Sequence, residues 1–329
     1  MKKCLSMLVF GGVAVTSMNA LAGEGPILYG KANVSYENQD DGNSDTWKLQ
    51  SNASRLGVKG ALNTDLEGLE AIYKAEFEIS IDDGDKDGQT FSQRNIYGGF
   101  KQANLGALIA GKFDTPLKSA QGKVDQFNDL QADIKNIMAG ENRTSNIVQY
   151  SSPRLFDAVG VSVAVIPGEE QSAGAENDGP ADAVSSSFTF ENDRFYGSIA
   201  YDSDIEDSLE ADSSGDSRLN ILRTVGKVRL SNFEIGAVYQ LAEESDGPGE
   251  DTSYLVGGAV NLERWKIKAQ YGLTEAETTN EELTLLALGL DYKLASKSKV
   301  YAYVSQVEAD LADSEDSTFG VGFEHKFSM

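Results

Sequence analysis

Apolar and polar residues alternate along the stretch 264–275, "RWKIKAQYGLTE". One parity of this stretch is apolar: Trp265, Ile267, Ala269, Tyr271 and Leu273. The other parity carries Lys266 and Lys268. A period of two predicts a β-strand with one apolar and one polar face. In a soluble sheet the apolar face packs on a core, whereas in a transmembrane barrel it faces lipid and the polar face lines a wet lumen.

The same alternation recurs along the whole chain. The sixteen stretches lie at about 27–37, 48–61, 68–81, 90–101, 105–113, 143–151, 156–166, 184–191, 194–203, 218–230, 232–241, 252–263, 264–274, 283–294, 299–308 and 318–327. Most are close to the roughly nine to eleven residues that a tilted strand needs to cross a bilayer, and their number is even. The pattern predicts an all-β fold, a sixteen-stranded antiparallel transmembrane β-barrel.

The connections between the predicted strands alternate in length. Short polar connections lie at 63–67, 102–104, 191–193, 231–232 and 295–298. Longer, acidic and mostly glycine-containing segments lie between them, such as "DDGDKDGQ" at 82–89. Short turns at one end and long loops at the other are typical of a barrel with periplasmic turns and extracellular loops. A soluble β-sandwich also alternates, but it does not account for the strand count together with this loop asymmetry.

The N-terminal segment 1–22 has the features of a secretory signal peptide. Lys2 and Lys3 precede a short apolar stretch, and "ALA" at 20–22 is a small-residue cleavage site. The only cysteine, Cys4, lies in this segment, so we expect a mature chain without disulfide or thiol chemistry. Residues 23–329 are expected to form one barrel domain in the outer membrane.

Charge and hydropathy restrict the function further. The formal net charge is −24, which argues against nucleic-acid binding because that needs a basic face. The mean hydropathy of −0.34 and the lack of a long apolar run beyond the signal segment argue against membrane helices. Barrel strands escape this criterion, since only alternate residues need to be apolar.

One connection, 114–142, differs from the other loops because it is long, amphipathic and neither glycine-rich nor purely acidic. Its apolar residues recur at roughly helical spacing: Phe127, Leu130, Ile134, Ile137 and Met138. Asp125, Asp129 and Asp133 recur every four residues, which would place them on one side of that helix. The segment is either a surface helix with a solvated acidic face or a functional loop. In the second interpretation it folds into the lumen, with its carboxylates bordering the aperture.

Candidates for enzymatic chemistry are few. The only histidine, His325, lies on the outward row of the last predicted strand, where a girdle residue is more plausible than a general base. Asp83, Asp85 and Asp87 have EF-hand spacing, but the position expected for a bidentate glutamate is Arg94. We therefore predict no enzyme and no cofactor. Weak divalent binding by this loop, bridging it to lipopolysaccharide phosphates, is the alternative to a solvated acidic loop.

Several segments, taken as a set and in order, resemble the general porins of Gram-negative outer membranes. They are "LYGKANVSYE" (28–37), "SRLGVKG" (54–60), "QRNIYGGF" (93–100), "GKFDTPLK" (111–118), "NRTSNIVQYSSP" (142–153) and "FGVGFEHKF" (319–327). The resemblance implies a homotrimer of sixteen-stranded barrels in which the second loop, 82–89, latches onto a neighbouring subunit. It also implies that the third extracellular loop narrows the pore and that its acids face basic wall residues. The matching wall positions are Lys31, Arg55, Arg94 and Arg143.

The chain departs from the family pattern at two places. The acidic "PEFGG" loop motif is absent, so Asp125, Asp129 and Asp133 are assigned to the aperture from helical spacing alone. The family usually ends on phenylalanine, whereas Phe327 is followed here by Ser328 and Met329, a tail we expect to be tolerated.

The function implied is passive diffusion of ions and small hydrophilic solutes across the outer membrane. Opposed charges keep the aperture wet, and acidic outer loops concentrate cations, which predicts a mild cation preference. The alternatives are an anion-selective or substrate-selective pore, or a structural or adhesin barrel; a barrel-borne hydrolase lacks catalytic candidates. Expected partners are outer-membrane lipid, lipopolysaccharide and further copies of the chain.

Overall fold

A single antiparallel sheet closes on itself in the computed structural model, which describes residues 26–83, 89–169, 179–212 and 217–329. Its first and last strands pair with each other over Tyr29–Asp40 and Ser317–Ser328, so the barrel has no free edge. The strands are β1 (Ile27–Asp40), β2 (Asp45–Ser51), β3 (Arg55–Asn63), β4 (Leu69–Ile79), β5 (Phe91–Gln102), β6 (Gly106–Asp114), β7 (Arg143–Ser151), β8 (Val159–Ile166), β9 (Ala183–Glu191), β10 (Phe195–Asp207), β11 (Ser217–Leu230), β12 (Phe233–Glu244), β13 (Glu250–Leu262), β14 (Trp265–Ala276), β15 (Glu282–Ala295), β16 (Ser298–Ala309) and β17 (Ser314–Ser328).

Two of these strands are halves of one barrel position. Both β2 and β3 pair with β1, and the chain between them turns at Ala53, whose φ is 48°. The break stays bonded to β1, because the backbone amide of Asn52 donates to the carbonyl of Asn33 at 2.8 Å and Ser54 Oγ donates to the same carbonyl at 3.0 Å. The barrel therefore has sixteen strand positions, as the alternation predicted.

The two faces of each strand meet different surroundings. In β14, Ile267 on the outward row is 51% exposed on the isolated chain, whereas Lys268 on the inward row is 4% exposed. The predicted parity is confirmed, but Lys268 does not reach the wet lumen that the barrel interpretation implies for its row. Its ammonium donates to the carbonyl of Gln126 at 3.0 Å and lies 4.3 Å from the ring centroid of Phe127, so the third loop covers it.

Strand pairing continues beyond the predicted ends at the long-loop side. The first predicted stretch ended at residue 37 and the ninth at 203, whereas β1 continues to Asp40 and β10 to Asp207. Outside the hydrocarbon region both faces of a strand can be polar, so pairing extends where the alternation has ended. At the other end of the barrel, Ser328 continues β17 and pairs with Tyr29. Ser328, the first residue of the two-residue C-terminal tail, is therefore part of the sheet.

The segment between β6 and β7 lies inside the barrel, but it is not the predicted helix. It contains only α1 (Pro116–Ser119) and a 3-10 turn at Ile134–Asn136. The helix over 125–138 fails because Asp125 accepts hydrogen bonds from the amides of Phe127 (2.8 Å) and Ile134 (3.2 Å), replacing helical carbonyl partners. Asp129 adopts a φ of 69°, which also interrupts a helix. In the described ranges, no helix is long and apolar enough to cross a membrane.

Apolar side chains attach this third loop to the inner wall. Phe127, Ile134 and Ile137 are fully buried and belong to one cluster with wall residues such as Leu255 and Leu285. Burying a side chain of this size contributes about 1.5–3 kcal/mol. Wall glycines leave the space that the loop occupies: a methyl group at Gly257 or Gly272 would clash with Val124 or Ile137, respectively.

Cysteine labelling of β14 can test the assignment of its faces. We expect a membrane-impermeant aqueous thiol reagent to label Lys266→Cys, whose native side chain is 32% exposed, and to spare Ile267→Cys on the lipid row. Lys268→Cys should react slowly because loop 3 covers the position. A lipid-soluble reagent should prefer Ile267→Cys. Faster aqueous labelling at Ile267 than at Lys266 would mean that the strand faces are inverted.

Candidate pore constriction

The third loop presents one carboxylate to the basic wall. Asp129 Oδ2 lies 2.6 Å from Lys31 Nζ and 2.7 Å from an Arg55 terminal nitrogen. Burial raises the pKa of Asp129, but Lys31 and Arg55 outweigh this and lower it to about 2. The carboxylate is therefore charged at every physiological pH, and this contact is lost only as the pH falls through about 2.

The other two predicted basic residues pair with carboxylates of the wall itself. Arg94 contacts Glu78 at 2.6 Å and Glu76 at 3.3 Å, and Arg143 contacts Asp114 at 2.8 Å. The wall thus carries its own acids beside its bases, so the charge pattern is not a purely basic ladder facing a purely acidic loop.

Strand register explains why these side chains meet. Lys31 of β1 is directly opposite Arg55 of β3, and Arg55 is directly opposite Glu78 of β4. A register shift between Ala75 and Phe77 lies where β4 pairs with β5. Such bulges redirect side chains, and Arg94 lies within reach of both glutamates at this point.

Asp125 and Asp133 lie elsewhere than the sequence-based assignment placed them. Both are buried and bind amides of their own loop: Asp133 accepts from the amides of Asp129 at 2.8 Å and Lys135 at 3.0 Å. Burial raises the pKa of both groups, in Asp133 to about 6. The spacing of four did not put three acids on one face, because no helix forms, and Asp129 alone of the three contacts the basic wall in the described structure.

A second ion pair attaches the C-terminal part of the loop. Arg223 of β11 is fully buried and contacts Glu141 at 2.7 Å, while it donates to the carbonyl of Ala139 at 2.8 Å and to Gln240 at 2.7 Å. Strand parity places Arg223 on the inward row. Sequence reasoning missed its role because nothing local shows which inward arginine a distant loop covers.

The wall acids were also missed as site residues, although there was a signal for two of them. Parity placed Glu76 and Glu78 on the inward row of the third predicted strand, and Asp114 ends β6. Charged residues at consecutive inward positions next to Lys74 are the pattern that could have indicated a paired network. Lys74 contacts Glu76 at 3.3 Å.

The described residues contain no cluster of three or more groups suited to a metal ion. Of the three aspartates with EF-hand spacing, Asp85 and Asp87 lie outside the described residues. His325 lies at the exposed outer row, with its Nδ1 2.7 Å from Ser298 Oγ. The arrangement as a whole offers fixed opposed charges on the inner wall and the third loop.

Comparison with known proteins decides the family. A family model described as Gram-negative porin matches residues 7–328. The chain belongs to this porin family. It is 24% identical to outer membrane porin protein 32 of Delftia acidovorans, over 98% of this chain and 92% of that protein. It is 23% identical to an outer membrane porin protein of Bordetella pertussis, over 84% of this chain and 83% of that one.

Solved porin structures show the same fold. An anion-selective porin from Comamonas acidovorans superposes with a TM-score of 0.74 at 19% identity, covering 92% of this porin and 99% of that chain. Salmonella typhi OmpF superposes with a TM-score of 0.68 at 15% identity, covering 92% and 97%. The family match and the similarity to two outer membrane porins make this porin an outer-membrane channel, and the barrel crosses the membrane many times.

Proposed function

We propose that this porin is a general diffusion channel narrowed by its third loop. The observation that carries the proposal is the position of Asp129, which the loop holds against Lys31 and Arg55 inside the closed barrel. Opposed fixed charges across an aperture orient dipolar solutes and keep the passage wet, which disfavours apolar solutes. Passage is passive, and the channel needs neither catalysis nor a cofactor.

A homotrimer embedded in lipid and lipopolysaccharide is part of the same proposal. The outward rows carry large exposed apolar side chains, including Leu286, Leu288 and Phe323, that need lipid or another subunit as cover. A similar solved structure, OmpT of Vibrio cholerae, is described as a trimer form. The second loop is the proposed latch, although residues 84–88 of it lie outside the described part of the chain.

Anion selectivity is a second candidate that one observation favours. The bases Lys31, Arg55, Lys74, Arg94 and Arg143 outnumber the acids Glu76, Glu78, Asp114 and Asp129 that they contact. A similar solved porin is named anion-selective. The acidic outer loops act in the opposite sense, and their attraction of cations weakens with salt because the Debye length is about 8 Å at physiological ionic strength. The effect of the outer loops on selectivity can be separated from that of the constriction by varying the salt. We expect a cation preference at low salt, from the loops, and a weaker or reversed preference at high salt, from the constriction.

Planar-bilayer recording tests the channel and the trimer together. Insertion of one trimer should raise the conductance. Voltage-induced closure should then occur in three equal steps, one for each subunit. The reversal potential in a salt gradient should move toward anions as the salt concentration rises. Absence of ion conductance would contradict the channel proposal and leave the structural-barrel alternative, whereas one-step closure would contradict the trimer alone.

A further inference from the structure

A cavity of about 310 Å³ lies at the short-turn end of the barrel, where the turns after β13 and β15 approach the end of β17. Short turns are typical of the periplasmic side of such barrels. Its basic lining residues are Arg264, Lys266, Lys293, Lys297, Lys299 and Lys326. Its acidic lining residues are Glu263, Asp291 and Glu324. In a chain with a formal net charge of −24, this cavity has three more bases than acids.

Two of the cavity lysines face each other directly. Lys293 of β15 and Lys299 of β16 are cross-strand partners on the inward row. Like charges directly opposite each other destabilise a sheet, so the pair needs a compensating interaction. Lys299 contacts Asp291 at 2.7 Å, but Lys268 shares that carboxylate at 3.6 Å. Lys293 has no ion pair among the described residues.

Other carboxylates in or beside the cavity do not neutralise its lysines fully either. Lys266 shares Glu234 with Lys227, at 3.1 and 3.0 Å, and Glu324 contacts Lys326 at 2.9 Å. Lys123 on the third loop is close to the same group, because its carbonyl accepts a hydrogen bond from Lys227 at 2.9 Å. Desolvation, and then Lys326 and Lys227, lower the pKa of Lys123 to about 8, as expected where positive charge is in excess.

We propose that this cavity binds a small multivalent oxyanion, such as phosphate or a dicarboxylate, as it passes between the constriction and the periplasm. The excess of three positive charges favours an anion with more than one charge over chloride or acetate. The volume of about 310 Å³ is sufficient for such an ion. Lysine ammonium groups bind oxyanions as point charges without a bidentate fork, which suits a site that must also release its ligand. This inference rests on the proposed channel function.

The test uses the whole protein in planar bilayers with potassium chloride as the carrier salt. Sodium phosphate is added to each side in turn at constant ionic strength. The measured quantity is the midpoint, the phosphate concentration at which half of the current reduction has occurred. The wild-type current should fall with phosphate and succinate, but little with acetate. In Lys293→Gln/Lys299→Gln the midpoint should rise on the order of tenfold, while conductance in chloride persists.

Matched variants separate a binding site from a general loss of charge. Lys59→Gln/Lys101→Gln removes two inward lysines outside the cavity and should leave the midpoint unchanged. Lys293→Arg/Lys299→Arg keeps both charges and adds the bidentate fork, so its midpoint should be at or below the wild-type value. Lys293 and Lys299 repel each other in the wild type. The glutamine variant should therefore be at least as resistant to thermal unfolding as the wild type. If that variant does not assemble, Lys326→Gln should shift the midpoint in the same direction.

Three results would overturn the inference. They are a conducting wild type that phosphate does not affect, equal midpoints in the wild type and Lys293→Gln/Lys299→Gln, and an equal shift in the control Lys59→Gln/Lys101→Gln. A wild type that does not conduct chloride would instead overturn the proposed channel function and this inference with it.

Discussion

Replacing Asp129 by asparagine should shift the reversal potential toward anions, and replacing Asp125 or Asp133 should not. Asp129 is the loop carboxylate that contacts Lys31 and Arg55, so its removal leaves Lys31 without its ion-pair partner and leaves Arg55 only Glu76, 3.9 Å away. At the effective dielectric of a solvated site, one such charge is worth about 1 kcal/mol, or roughly a fivefold change in the permeability ratio. The measurement is the reversal potential in a potassium chloride gradient.

The two other aspartates serve as controls of the same type. Asp133→Asn and Asp125→Asn each replace one acceptor oxygen by an NH2 donor directed at loop amides. We expect a less stable loop and noisier current, with little change in selectivity. A shift at Asp125→Asn as large as at Asp129→Asn would contradict the assignment of Asp129 to the constriction.

Replacing Arg223 by methionine should loosen the C-terminal part of the third loop on the wall. Arg223 is fully buried, and its loss leaves Glu141, whose side chain is 9% exposed, without its 2.7 Å partner. Removing one member of a buried ion pair typically costs about 3–5 kcal/mol, and Lys118, which lies 4.0 Å from Glu141, offsets part of that cost here. The expected result is a lower thermal unfolding temperature in detergent and a larger, noisier single-channel conductance.

Two further variants separate this anchor from a general effect of arginine loss. Arg229→Met removes an arginine of the same strand that is 22% exposed and contacts Glu191 at 3.0 Å, so its cost should not exceed about 1 kcal/mol. Arg223→Met/Glu141→Gln removes both charges of the buried pair and should recover most of the lost stability. A double variant as unstable as Arg223→Met would mean that the hydrogen bonds to Ala139 and Gln240 form the anchor, rather than the ion pair.

The failure of the predicted loop helix shows where local pattern stops being informative. Spacing of Phe127, Ile134 and Ile137 correctly indicated that the segment buries an apolar side. The same spacing is compatible with an irregular chain whose apolar residues converge on one wall. Asp125 and Asp133 look like a helical acidic face in the sequence, yet their carboxylates replace the missing helical hydrogen bonds.

The barrel itself could be predicted from the sequence, because its determinants are local. Each strand must alternate to meet lipid on one side and the lumen on the other, so sixteen weak patterns of bilayer length specify the architecture together. The inward rows that carry Lys31, Arg55 and Lys268 follow from parity alone, without knowledge of any neighbour.

Only the tertiary structure decided which of those inward charges meet. The partners are distant in the chain: Lys31 meets Asp129, Arg223 meets Glu141, and Lys293 lies opposite Lys299 on the neighbouring strand. Such contacts depend on how a long loop folds over a closed wall and on the register of the strands that form it. Alternation reports the face of each residue, but ion pairing depends on distances of a few ångströms that closure of the barrel and packing of the loop set.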